Sequence, residues 1–114
     1  MVELVNGVNL LTVEIPGMDK DALGKLADNF RDKYSENGVC VIASPSENNV
    51  VVMATVTQDL VKKGVKAGEL VGYISRQLGA GGGGAPHLAF GGGRDVTKVG
   101  DALASVPKWV ENKL

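Results

Sequence analysis

The sequence predicts one α/β (α+β) domain: a small β-sheet of about three to four strands packed against helices. Three observations lead there. Short apolar runs rich in Val, Leu and Ile occur at 8–15, 39–43 and 50–54 and have the length and composition of strands. Stretches beginning near 19, 67 and 95 repeat apolar residues at spacings of three and four, the period of a helix with one buried face. The chain has 114 residues, close to the commonest domain size, so one core is expected rather than two. The resulting order is β-α-β-β-α-glycine loop-α, without an internal repeat.

Val8 to Ile15 forms the first strand, and Pro16-Gly17 ends it. A helix starts at Met18 or Asp19. Leu23, Leu26, Ala27, Phe30 and Tyr34 make its stripe, Asp19 and Asp21 suit its dipole, and Asn37-Gly38 supplies its stop. Val39 to Ala43 is short, apolar and β-branched, as in a strand buried on both faces. Ser44 to Asn49 is a turn cluster. Val50 to Ala54 is a second buried strand, antiparallel to the previous one across that turn. Thr57 caps a single helical turn that Gly64 closes. A longer helix runs from about Ala67, with Leu70, Val71, Ile74 and Leu78 on its buried side and Gly79 as its stop. After a glycine-rich loop, Asp95 caps a last helix carrying Val99, Ala102, Leu103, Val106 and Val110. Pro107 within it means a kink, or a restart capped by Ser105.

Composition narrows the function classes. Hydrophobic residues make up 44% and charged residues 22%, an ordinary foldable balance. No apolar run approaches the roughly 18–20 residues of a membrane span, and the first residues lack a signal-peptide pattern. Cys40 is the one cysteine and cannot form an internal disulfide, which fits a reducing, cytoplasmic setting. The net charge of −1 hides an asymmetry. Residues 1–57 hold four basic and eight acidic groups, whereas residues 58–114 hold eight basic and five acidic ones. A positive half points toward a polyanionic partner, with solvated helix faces as the alternative.

Glycine is the compositional anomaly. Eight of the sixteen glycines lie within residues 79–93. Gly79-Ala80-Gly81-Gly82-Gly83-Gly84 satisfies G-x-G-x-x-G literally, yet it follows a helix instead of a strand and does not open the next helix. No acidic residue stands about 20 residues further on in a second strand, so a dinucleotide site is rejected. No Lys-Ser/Thr pair follows, so a P-loop is rejected too. Ordering four adjacent glycines costs on the order of 1 kcal/mol apiece relative to stiffer residues. Such a run invites a use: close approach by a phosphate or another backbone, or an anion-binding concavity of N–H groups. Arg76, Arg94 and Lys98 surround it in sequence. The alternative is a flexible linker, although Pro86-His87-Leu88-Ala89-Phe90 looks like an ordered insert.

No catalytic constellation is evident. His87, the single histidine, reads as a loop residue with local hydrogen bonds, with a phosphate or ribose contact as its functional alternative. With Cys40 far away in a buried-strand pattern, it makes neither a metal ligand set nor a Cys-His nucleophile. Asp19 and Asp21 read as helix-start residues and not as an acid/base pair. Tyr73 and Trp109, at helical spacings, read as core residues in preference to base-stacking platforms. Neither a cofactor nor a metal is expected.

Residues 55–114 resemble the DHH-associated domain, in the form that closes alanyl-tRNA synthetases. The resemblance is carried by the segment Thr57 to Gly64, by Lys66-Ala67-Gly68-Glu69-Leu70, and by the loop Gly79 to Gly93. Ala102 to Val106 and Trp109-Val110 look like that family's last helix. The family loop runs roughly G-x-x-G-G-G-x-P-x-x-A-x-x-G-G, filled here by Gly79, Gly82, Gly83, Gly84, Pro86, Ala89, Gly92 and Gly93. Over residues 1–54 the resemblance rests on element order. The sequence departs from the pattern at Ala85, where a basic residue is common, at His87, often acidic, and at Phe90, often Gln. Related oligonucleotide phosphoesterases carry a G-G-H-x-x-A-A-G motif. Here Ala85 stands at its His, and the metal-binding Asp-His-His half is absent.

The resemblance implies that residues 1–114 are one C-terminal module of a longer synthetase, with the aminoacylation and editing domains upstream. It implies a non-enzymatic module that binds tRNA, tRNA-Ala among them, at the outer elbow of the L and helps charging and editing act on one molecule. The contacts expected are Lys62, Lys63, Lys66, Arg76, the N–H groups of Gly81, Gly82, Gly83 and Gly84, His87, Arg94 and Lys98. Two alternatives come from other classes: a homodimerisation module, and the substrate-holding domain of a DHH-type oligonucleotide phosphoesterase.

Overall fold

The computed structural model describes residues 2–114. Its strands are β1 (Val2–Val5), β2 (Val8–Glu14), β3 (Gly38–Pro45), β4 (Val50–Val56), β5 (Gly83–Gly84) and β6 (Leu88–Gly93). Its helices are α1 (Lys20–Lys33), α2 (Gln58–Lys62), α3 (Ala67–Gln77), α4 (Val99–Ala104) and α5 (Val106–Lys113), with a 3-10 turn at Val96–Lys98. The strands form one mixed sheet in the order β1-β2-β3-β4-β6-β5. Only β2 and β3 are parallel, and α1 is the crossover that parallel pairing demands.

The α+β class agrees with the sequence reading, but the sheet has six strands instead of three to four. The three unexpected strands escape the side-chain pattern for two physical reasons. β1 is a four-residue edge strand with only part of its surface buried, and it joins β2 through Asn6 (φ 49°) and Gly7 (φ 84°), a left-handed pair suited to a tight hairpin. β5 and the end of β6 consist of glycines, which carry no side-chain signal for a strand. Their pairing comes from tertiary packing.

Helix ends adjust other expectations. Asp19 caps α1 by accepting the Ala22 N–H at 2.9 Å. That helix stops at Lys33, earlier than Asn37-Gly38, because Asn37 turns left-handed (φ 53°) and Gly38 already opens β3. Thr57 precedes α2 without a side-chain cap bond, and Ser105 precedes α5 likewise. The Ser105 hydroxyl donates instead to the Ala102 carbonyl at 2.7 Å. Pro107 sits in the first turn of α5, so the helix restarts there instead of kinking.

The period-two alternation of the central strands divides the core. Val39, Val41 and Ala43 of β3, with Val50, Val52, Ala54 and Val56 of β4, face α2, α3, α4 and α5. Cys40, Ile42 and Met53 face α1, through Leu23, Ala27 and Phe30. Both central strands are thus buried on both faces, and each fully buried Val or Leu contributes about 1.5–3 kcal/mol.

Candidate nucleic-acid interface

The glycine segment is ordered, and α3 orders it. Gly79, with φ 83°, takes the left-handed position after the helix. Its N–H donates to the Arg76 carbonyl at 3.3 Å, and the Ala80 N–H donates to the Ser75 carbonyl at 3.0 Å, a Schellman closure. The chain then reverses and runs back along α3. At the other end the Pro86 carbonyl accepts the Ala67 N–H at 2.7 Å. Gly83 and Gly84 pair with Phe90 and Ala89 of β6.

Between those anchors three backbones lie in contact. A Cβ on Gly68 of α3 would stand 2.6 Å from the Gly84 carbonyl oxygen, and one on Gly91 would meet Val71 and Ser75 of α3 at 2.5–2.6 Å. The Ser75 hydroxyl accepts the Gly92 N–H at 3.1 Å, and the Leu78 carbonyl accepts the N–H groups of Arg94 and Asp95 at 3.0 and 3.2 Å. One face of the ribbon is therefore packed on α3. Gly81, Gly82, Gly83 and Gly84 remain solvent-exposed along the edge of the sheet.

Cations border this edge. Arg76 lies back along α3, with its Nη1 3.6 Å from the position of a Cβ on Gly72; the Gly82 carbonyl is 3.3 Å from the same point. Lys66, at the start of α3, lines a shallow cleft of about 320 Å³ with Gly68, Glu69, Gly83, Gly84 and Pro86. The acidic member, Glu69, is partnered by Lys113 Nζ at 3.3 Å. Arg94 is exposed beside the last turn of α3. Lys62 and Lys63 are exposed at the end of α2, whose Leu60 carbonyl accepts the Val65 N–H just before Lys66. Lys98 is exposed in the 3-10 turn.

His87 stands apart. Its carbonyl accepts the Val56 N–H and the Thr55 hydroxyl, and the residue lines a different cleft, of about 220 Å³, with Arg31, Tyr34, Ser35, Val56, Thr57 and Gln58. Sequence reading missed this cleft because its residues come from three separated segments. A third cleft, of about 490 Å³, lies between α1 and the half-buried Leu88 and Phe90. Tyr73 and Trp109 pack against the core with ring centroids 6.2 Å apart. Burial pushes the Cys40 thiol up to about 12, which deprives it of nucleophilic character at neutral pH. Among the described residues no three His, Cys, Asp or Glu side chains converge as a metal site, and no helix is long and apolar enough to cross a membrane.

A mixed sheet with a crossover helix on one face, and a glycine ribbon clamped on the other, defines a class of domain. The chain belongs to the DHHA1 domain family, whose model matches residues 7–112. Its relatives are alanine–tRNA ligases. It is 43% identical over 97% of its length to that of Geobacillus kaustophilus and 39% identical over 96% to that of Clostridioides difficile. The chain spans about 12% of the length of these relatives. Among solved structures, the C-Ala domain of Aquifex aeolicus alanyl-tRNA synthetase superposes with a TM-score of 0.88 and 26% identity, covering 97% of this chain and 98% of that one. A DHH-domain member of the s1p family of ribosomal proteins superposes at 0.61 with 21% identity, a likeness of fold covering 28% of that chain.

Proposed function

We propose that this chain is the tRNA-binding C-terminal module of an alanine–tRNA ligase, one domain of a longer cytoplasmic protein whose other domains charge and edit. It grips the elbow of tRNA, tRNA-Ala among its substrates, and helps hold one molecule for both reactions. Membership of the DHHA1 family and the identity of the relatives support the parent enzyme. The observation that carries the RNA contact is the exposed glycine edge flanked by Lys66 and Arg76. Backbone without side chains admits a sugar-phosphate chain closely, and the adjacent cations neutralise it. Recognition of this kind reads shape, phosphate and 2′-OH, with little base readout. Lys62, Lys63, Arg94 and Lys98 widen the cationic rim, the N–H groups of Gly81 to Gly84 supply donors, and His87 contributes from the neighbouring cleft.

Each phosphate neutralised steepens the dependence of log affinity on log salt by roughly 0.7–0.9. The affinity of this chain for tRNA, measured by filter binding from low to physiological salt, is expected to fall steeply. The double variant Arg76→Ala/Arg94→Ala should flatten that slope by about 1.4–1.8 while keeping the fold. A flat response of the unmodified chain, or no binding at low salt, would overturn the reading. A second reading has one observation behind it: β1 is an open edge strand bearing Leu4, 72% exposed, through which two copies of the sheet would pair. Light scattering across concentrations decides it, because a concentration-independent monomer removes dimerisation as the main role.

A further inference from the structure

We propose that the cleft between the end of α1 and the start of α2 is a pocket for one unstacked nucleobase of the bound RNA. The proposal rests on the RNA-binding reading and adds to it a second contact, away from the glycine edge. The lining suits a flat heteroaromatic ring. Tyr34 supplies an aromatic surface, held by the Phe30 ring with centroids 5.0 Å apart, beside the main chain of Val56 and Thr57. The His87 imidazole, the Gln58 amide and the Ser35 hydroxyl supply both donors and acceptors at the rim.

The local hydrogen bonds fix this frame without consuming the rim. The Thr57 hydroxyl donates to Asp59 and accepts the Gly38 N–H. The His87 carbonyl is held by the Val56 N–H and the Thr55 hydroxyl. Among the described residues, the side chains of His87, Gln58 and Ser35 donate to and accept from no protein group. A volume of about 220 Å³ falls below the roughly 300–1,000 Å³ of sites for drug-sized ligands, which suits one ring system better than a whole cofactor.

Charge separates a base from a phosphate here. Arg31, the one cation lining the cleft, already pairs with Asp28 at 2.6 Å, and Lys33 Nζ, 5.7 Å from the centroid of the Tyr34 ring, is engaged with that ring from outside the lining. A phosphate belongs on the glycine edge. A neutral ring with mixed donors and acceptors belongs in this cleft, where stacking and edge hydrogen bonds act together.

The test has two arms. In the first, nitrogen-15 NMR titrations of the whole chain use AMP, GMP, CMP and UMP, with ribose 5-phosphate as the base-free control. At least one nucleotide should shift the signals of Ser35, Thr57, Gln58 and His87, and ribose 5-phosphate should not. In the second, tRNA affinity is measured for Tyr34→Leu and, because Tyr34 packs on Phe30, also for Gln58→Ala/His87→Ala. Both should bind about tenfold more weakly with an unchanged salt slope, whereas Arg76→Ala/Arg94→Ala changes the slope. Equal shifts from ribose 5-phosphate would overturn the proposal in favour of a phosphate site. Unchanged tRNA affinity in folded cleft variants would overturn it outright. Nucleotide shifts without any tRNA binding at low salt would overturn the RNA assignment and make this a free-nucleotide site; that outcome also identifies the earlier reading as the one that failed.

Discussion

Asp59 links two elements through one carboxylate. It accepts the Thr57 hydroxyl at 2.5 Å and the Asn37 N–H at 2.9 Å, tying the first turn of α2 to the left-handed residue that precedes β3. Partial desolvation pushes its pKa up. The hydrogen bonds from Thr57, Asn37, Leu60 and its own N–H outweigh that and hold it below the ordinary carboxylate value. A folded pKa lower than the unfolded one gives stability that is present above the unfolded pKa and lost as pH falls through the folded one. Asp59→Asn should therefore lower the urea stability of the chain at pH 7 by about 1 kcal/mol, most of it from the weakened hydrogen bonds. The gap between variant and parent should narrow as the pH drops below about 4. A gap that stays constant from pH 7 to pH 3 would show that ionisation of Asp59 contributes nothing. No sequence pattern signals this role, since the partner Asn37 lies 22 positions away.

At the scale of elements, the contact between α3 and the glycine ribbon decides what the glycines are for. Gly68 has backbone of Gly84 against the place where a side chain would be, while Gly24, inside α1, has open space. Gly68→Ala should destabilise the chain by about 1–3 kcal/mol, because the obstructing atom is main chain and must move. Gly24→Ala should stabilise it by roughly 0.5–1 kcal/mol through helix propensity alone. Thermal melts of the two variants check the signs, and a neutral Gly68→Ala would mean that the ribbon is not seated on α3. The same contact explains which elements were legible. α1 and α3 bury apolar side chains at helical period, and β3 and β4 are continuous apolar runs buried on both faces, so Leu23, Leu70, Val39 and Val41 announced them. β5 and much of β6 present only main chain to α3, and a strand without side chains leaves no period to read. The loop's position in the sequence was evident, together with Arg76 and Lys66 beside it. Its being a sheet edge was not.

At the scale of the molecule, the positive second half of the sequence proves to be more than one surface. Lys66 and Arg76 border the glycine edge, whereas His87 from the same loop turns into a cleft walled by α1 from the acidic half. Spacing in sequence grouped His87 with the glycines. The hairpin that carries it separates them, because the carbonyl of His87 is tied to Thr55 and Val56 at the far end of β4. The two core clusters, one on each side of the sheet, share the backbone of β3 and β4. Cys40 faces α1 while its neighbours Val39 and Val41 face the α3 side. Neither cluster survives the loss of these strands, so the domain should unfold as a single unit. The chain supplies one natural probe for each side: Trp109, the single tryptophan, packs on the α3 cluster, and Cys40, the single cysteine, lies in the α1 cluster. The folded thiol stays protonated until about pH 12, against an ordinary value of 9.0, so a thiol-disulfide reagent at pH 8 should react far more slowly with the native chain than with the unfolded one. Urea titrations followed by Trp109 fluorescence and by short pulses of Cys40 labelling should give the same midpoint. A thiol that becomes reactive well before Trp109 responds would mean that α1 leaves the sheet on its own, and that the cleft it forms with His87 opens while the glycine edge is still folded.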